Sequence, residues 1–155
     1  MITTLVMSIL LNRTPSEAFN PYRGLRQGDP LSPFLFIIAV DGLVRLIKAK
    51  VNSEQIKGLI LWGDELTLTH QQFVDAVMLY GHANLKEAKK LMEILGKFTR
   101  ATGTEINKEK SEIYFFNSQM TSQSFLATTM GFRAGKFPTK YLGIQLCEKK
   151  NRLAN

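Results

Sequence analysis

The order of elements written in this sequence predicts an α+β fold, and three observations carry that reading. An amphipathic period of three and four residues runs across 84–102. Short alternating segments flank a turn between 66 and 80. A long, nearly all-apolar stretch follows Asp29-Pro30-Leu31-Ser32-Pro33. Helices and hairpins alternate irregularly, which argues against a regular series of parallel crossovers. The 155 residues fit one domain or part of a larger one. With 45% hydrophobic and 21% charged residues there is enough apolar material for a core, so wholesale disorder is excluded.

Residues 1–12 read as a strand or an edge element. Residues 14–28 read as loop, punctuated by Pro15, Pro21, Gly24 and Gly28. A helix is expected from the Asp29–Pro33 segment to about Ala49. Asp29 or Ser32 can cap it, and proline is tolerated in a first turn whose N–H lacks a partner anyway. Apolar positions cover most of its circumference, while Asp41, Arg45 and Lys48 form one polar stripe, so the helix is expected to be largely buried. Residues 56–62 read as a strand. Leu66-Thr67-Leu68-Thr69 alternates and continues towards Phe73, and residues 77–80 form a second short strand. The turn between them, Val74-Asp75-Ala76, puts a carboxylate at an exposed tip. Leu85, Ala88, Leu91, Met92, Leu95 and Phe98 predict a helix from Asn84 to about Thr102, with Asn84 as its cap and Gly103 just past its end. Strands are expected at 112–116 and 141–146, with a short helix at 122–130.

The formal net charge is +7. Residues 1–50 carry six Lys/Arg against three Asp/Glu, residues 51–100 six against six, and residues 101–155 eight against four. A neutral middle between basic flanks suits a polyanion, because cations near phosphates release condensed counterions; a well-solvated basic surface is the competing reading. Cys147 is the one cysteine in the sequence, which excludes a disulfide-built secreted domain and a multi-cysteine zinc site. The start lacks the basic n-region of a signal peptide. The apolar run 31–40 is too short for the roughly 20 residues of a spanning helix, so neither membrane insertion nor secretion is expected. An intracellular location is expected, nucleus and cytoplasm being left open.

The segment Arg23-Gly24-Leu25-Arg26-Gln27-Gly28-Asp29-Pro30-Leu31-Ser32-Pro33 resembles motif B of non-LTR retrotransposon reverse transcriptases, with a plant-like flavour. Further segments follow in the family's order. Gln72-Phe73-Val74-Asp75-Ala76-Val77-Met78-Leu79-Tyr80 is similar to motif C, whose usual core ends in two aspartates. Gly103-Thr104-Glu105-Ile106-Asn107-Lys108-Glu109-Lys110-Ser111 is similar to motif D, and Lys140-Tyr141-Leu142-Gly143-Ile144 to motif E. The resemblance implies RNA-directed DNA synthesis and an incomplete right-hand palm, an antiparallel sheet with helices packed on one face. Residues 1–150 are expected to form it and 151–155 a tail, with the fingers, motif A and thumb missing.

The family's chemistry needs carboxylates gathered at one point to hold two divalent ions about 3.5–4 Å apart. By resemblance, Asp75 is the first aspartate of the motif C pair, a catalytic and metal-binding position, whereas the second is Ala76, whose methyl group ligates nothing. Asp29, Asp41 and Asp64 stand outside any motif A context. Mg²⁺ is the family's cofactor, and stable binding to this chain is not expected. Arg26, Gln27 and Gly28 are implied to lie against nucleotide and template, although Gly28 also serves a turn and Arg26 could be surface charge. Lys110 is implied near the leaving pyrophosphate, against the alternative of a solvated lysine. Tyr141, Leu142 and Gly143 are implied to form the primer grip, or simply end a core strand. His70 and His82 bracket the hairpin without a ligating neighbour. The expected partners are an RNA template and a DNA primer, with weak sequence-independent binding and self-association through exposed palm surface. The expectation is a reverse transcriptase fragment without polymerase activity; the alternatives are a non-catalytic nucleic-acid-binding remnant or an inert relic.

Overall fold

A computed structural model of the chain describes residues 6–21, 24–61, 66–116 and 120–147. Arg23, Trp62, Asp64 and the tail 151–155 lie outside the described residues. The first described strands are β1 (Leu10–Leu11) and β2 (Thr14–Pro15), an antiparallel pair that takes only the first two residues of the loop expected over 14–28. The long helix α1 (Ser32–Asn52) follows, then β3 (Leu59–Leu61) paired with β4 (Leu66–Leu68). Next come the hairpin β5 (His70–Phe73) and β6 (Ala76–Leu79), and the helix α2 (Leu85–Thr102). The rest is β7 (Glu112–Ile113), α3 (Met120–Met130), β8 (Arg133–Ala134), β9 (Thr139–Tyr141) and β10 (Ile144–Leu146).

The fold is mixed α+β, as expected, but among the described residues its strands form five separate two-stranded ladders rather than one sheet. One of these, β7 with β8, is parallel, against the expectation of antiparallel pairing throughout. Strands of two to four residues make too few ladder bonds to recruit a third strand, and each pair keeps open edges. The strand expected at 112–116 ends at Ile113. The strand expected at 141–146 is instead a tight hairpin, because Leu142 and Gly143 both take positive φ (51° and 82°) and turn the chain back.

The core is a helix–helix contact. Leu43 and Ile47 of α1 meet Leu91 and Ile94 of α2, with Ile56 alongside; Leu46, Val51, Leu79, Phe98 and Met130 pack around them. The helix α2 has the ends its sequence predicts. Asn84 Oδ1 accepts from Glu87 N–H at 2.9 Å, and Gly103 takes the left-handed conformation at φ 72°. Glu87 in turn accepts from the Asn84 side-chain amide at 3.4 Å and goes further. Buried in the structure, its carboxylate accepts from the backbone N–H groups of Lys57 (3.2 Å) and His82 (3.0 Å), so it ties two loops to the start of α2.

In contrast, α1 is not largely buried. Its C-terminal half enters the core, but Phe34, Leu35, Phe36, Ile37 and Ile38 are all exposed, Ile38 at 68%. They lie on every side of about one and a half turns, and each is more than a third exposed. The polar stripe is exposed as predicted, with Arg45 paired to Asp41 one turn away. Among the described residues no helix is long and apolar enough to cross a membrane.

Candidate nucleic-acid interface

The loop before α1 is held by its own backbone. The Arg26 carbonyl accepts from Asp29 N–H at 3.3 Å and from the Ser32 hydroxyl at 2.6 Å. The Asp29 carboxylate accepts from Leu31 N–H at 2.8 Å. Neither residue caps α1 in the expected way, since Leu31 is the cap position and makes no side-chain cap bond. Proline at the second helical position removes one donor that such a cap would serve, and the two side chains fasten the loop to the helix instead.

This fastening shapes a concavity of about 580 Å³ lined by Leu25, Arg26, Gln27, Gly28, Ser32 and Phe36, among others. The sequence-predicted nucleotide residues Arg26, Gln27 and Gly28 therefore stand together, exposed, at the head of α1. Gly28 has φ 83°, and a Cβ there would meet nothing within 4 Å. The backbone conformation alone requires glycine, while the space in front stays open to an approaching group.

The hairpin β5–β6 is closed by a two-residue turn, Val74-Asp75. Phe73 pairs with Ala76, so Ala76 is the first residue of β6 rather than part of the turn. Val74 takes φ 50°, a strained conformation for a β-branched residue. The Gln72 amide supports the turn by donating to the Val74 carbonyl at 3.2 Å, and its own Oε1 is buried without a hydrogen-bond partner. Asp75 is exposed at the tip.

One hydrogen bond links the hairpin β9–β10 to this one. The Tyr141 hydroxyl donates to the Ala76 carbonyl at 3.4 Å, joining positions 65 apart in sequence. Tyr80, whose hydroxyl donates to Gln71 at 2.6 Å, has its pKa raised, first by burial and then by nearby Tyr141. Leu142 and Gly143 form the exposed turn at the end of the second hairpin. The structure thus brings the predicted motif C and motif E segments into contact, a juxtaposition that neither segment announces by itself.

The other predicted residues stay apart. Lys110 is exposed on a turn in which Asn107 Oδ1 accepts from the Glu109 and Lys110 N–H groups, both at 3.1 Å. Among the described residues no hydrogen bond or ion pair joins the side chains of Arg26, Gln27 or Lys110 to Asp75. His70 is half-buried with Nδ1 3.0 Å from the Thr69 hydroxyl. Burial first and Lys48 second lower its pKa. No three of His, Cys, Asp and Glu among the described residues stand close enough to hold a metal ion. One carboxylate at the tip, with Ala76 beside it and the Ala76 carbonyl taken by Tyr141, does not fit a two-metal site.

A feature missed at the level of sequence is the charge on α2. Glu93 is gripped by Lys97 (2.9 Å), Lys90 (3.0 Å) and Lys50 of α1 (3.3 Å). Hydrogen bonds from these three lysines, Lys97 first, hold its carboxyl at about 2. The signal was hidden because residues 51–100 balance to zero when counted along the chain.

The reverse transcriptase (RNA-dependent DNA polymerase) family profile matches residues 1–146. The chain is 30% identical over 110 residues to an uncharacterized mitochondrial protein of Arabidopsis thaliana, covering 70% of this chain and 88% of that protein. It is 27% identical over 138 residues to the retrovirus-related Pol polyprotein of the type-2 retrotransposable element R2DM of Drosophila melanogaster, covering 83% of this chain and 12% of the polyprotein.

Proposed function

The chain belongs to the reverse transcriptase (RNA-dependent DNA polymerase) family, as a retroelement domain, and from that premise we propose that these 155 residues form part of a polymerase palm that no longer catalyses nucleotide transfer. The observation that carries the proposal is position 76. At the hairpin tip the second carboxylate of the motif C pair is replaced by Ala76, leaving Asp75 alone. A single exposed carboxylate leaves a divalent ion mostly to water and supplies little of the preorganised charge on which phosphoryl transfer depends.

What remains is a surface for nucleic acid. Arg26, Gln27 and Gly28 at the concavity, together with the linked hairpins bearing Asp75 and Tyr141-Leu142-Gly143, are the segments that meet nucleotide, template and primer in the family; Lys110 joins them by resemblance alone. The net charge of +7 favours weak, sequence-independent association with RNA or DNA. The uncovered first turns of α1 add a self-association surface.

The test is primer extension on homopolymer and heteropolymer templates with Mg²⁺ or Mn²⁺. The expected result is no incorporation above a heat-inactivated control. Template-dependent incorporation that disappears in Asp75→Asn would overturn the proposal.

A further inference from the structure

The middle third of the sequence is neutral, yet folding separates its charges. Five of its six cations, Lys86, Lys89, Lys90, Lys97 and Arg100, belong to α2. Of the two carboxylates on that helix, Glu87 is buried and spent on backbone N–H groups. Only Glu93 shares the outer face. At 100° per residue, positions 86, 90, 93, 97 and 100 fall within an arc of about 80°, with 89 at its border. The core-facing positions 87, 88, 91 and 94 point elsewhere, and Lys50 of α1 joins the arc through Glu93.

This arrangement is costly unless something neutralises it. Lys86 and Lys90 are one turn apart, as are Lys97 and Arg100, and like charges at these spacings repel. Six cations share this face with one carboxylate, which three of them contact, leaving a formal excess of five. Lys86, Lys89 and Arg100 have no hydrogen-bond or ion-pair partner among the described residues. No aromatic side chain lies in the arc, because Phe98 packs on the core. A single-stranded nucleic acid is ordinarily gripped by stacking on aromatic faces, and this face offers none. A row of cations spaced along one helix face matches instead the phosphate rows of a duplex. The row is about 21 Å long, and a duplex presents about twelve charges over that length.

We propose that the outer face of α2, with Lys50 of α1, binds the phosphate backbone of a nucleic-acid duplex, at a surface separate from the motif-bearing loop and hairpins. The site is independent of the polymerase reading, since it uses none of those residues, and primer-extension results do not bear on it.

The experiment is fluorescence anisotropy of a labelled DNA duplex of two helical turns against the full chain over a salt series. The triple variant Lys86→Gln, Lys89→Gln, Arg100→Gln leaves the Glu93 clamp intact, and circular dichroism checks its fold. We expect a tenfold or greater loss of affinity and a salt slope shallower by about 2 to 3, near 0.9 per lost phosphate contact. Glu93→Gln, which removes the opposing charge, should bind a few-fold tighter. The control Arg13→Gln, Lys48→Gln, Lys136→Gln removes the same charge outside the motif-bearing segments and should cost clearly less. An unchanged slope in the α2 variant, an equal loss in the control, tighter binding to the matching single strand, or equal competition by polyglutamate would each overturn the proposal. The last would mean an acidic protein partner instead.

Discussion

Ile47 is wholly buried between two helices, whereas Asp75 sits exposed on a strained two-residue turn. The two positions stand for two kinds of construction. The α1–α2 pair is fixed by interlocking apolar side chains, the Asn84 cap and a three-lysine clamp on Glu93. The loop at 26–28 and the hairpins that carry the family's chemistry are fixed by a few backbone bonds, and they leave their tips open. Helix α1 belongs to both regions, apolar on most of its circumference but covered only at its C-terminal end. Packing is therefore concentrated between the helices, and open surface at the loop and hairpins that carry the family's motifs. A region that must admit nucleic acid cannot also be closed by packing.

The sharpest way to break this comparison is to mutate each half of α1. Ile47→Ala empties a fully buried site and should cost about 2–5 kcal/mol in chemical denaturation. Ile37→Ala, on the same helix but 62% exposed, should change stability by no more than about 0.5 kcal/mol. Comparable losses at both positions would show that the first turns are covered in solution.

The second test asks what covers them. Phe34→Lys with Ile38→Lys puts charge on two of the most exposed apolar positions of α1. Sedimentation velocity at micromolar concentration should show the parent chain self-associating and the double variant shifted to monomer. A parent that is already a single sharp monomer species would remove the case for this patch as an interface.

The same division explains what could be read in the sequence. Helix α2 was legible to the residue because its period, Asn84 and Gly103 are all local signals. The contact of Tyr141 with Ala76 was not, because it joins residues 65 positions apart. The exposure of α1 was misread for a related reason. A helix apolar over most of its circumference implies something packed on those sides, but it does not say whether these residues provide it. Arg26, Gln27 and Gly28 are grouped by resemblance alone, and the Ser32 bond that fastens their loop has no signal in the sequence. The missed clamp shows that counting charges along a chain says little about where a helix gathers them.

The third prediction probes the helical region by pH. The Glu93 carboxyl titrates at about 2 in the folded chain, against 4.5 for an unperturbed glutamate. A depressed folded value contributes stability that is full above the unfolded value and is lost as pH falls through the folded one. The parent should therefore be more stable than Glu93→Gln at pH 6, with the gap closing between pH 4.5 and 2. Added salt should narrow it throughout, because the carboxylate is solvent-accessible. Thermal melts across that range make the check, and a gap that does not change with pH would assign the clamp no role.

The smallest expected effect lies at the hairpin tip and tests the motif C reading itself. Ala76 is half-buried, starts β6 opposite Phe73, and offers its carbonyl to Tyr141. Replacing it by aspartate keeps the backbone bonds and adds a carboxylate directly after Asp75. Two adjacent carboxylates repel, and partial burial disfavours the added charge. In EDTA, Ala76→Asp should therefore melt about 2–4 °C below the parent, near 1 kcal/mol for a chain of this size. A divalent ion reverses the sign of the argument, because the same two groups become ligands and their repulsion becomes attraction to a shared charge. Mn²⁺ should close the gap for Ala76→Asp and leave the parent nearly unmoved. Tyr141→Phe in the same background separates hairpin packing from ligation. It should lower both melting temperatures by a similar small amount and leave the Mn²⁺ response in place. If Ala76→Asp changes neither the melting temperature nor the response to Mn²⁺, position 76 faces away from any site that two aspartates could share. The hairpin would then be an ordinary turn that happens to carry Asp75.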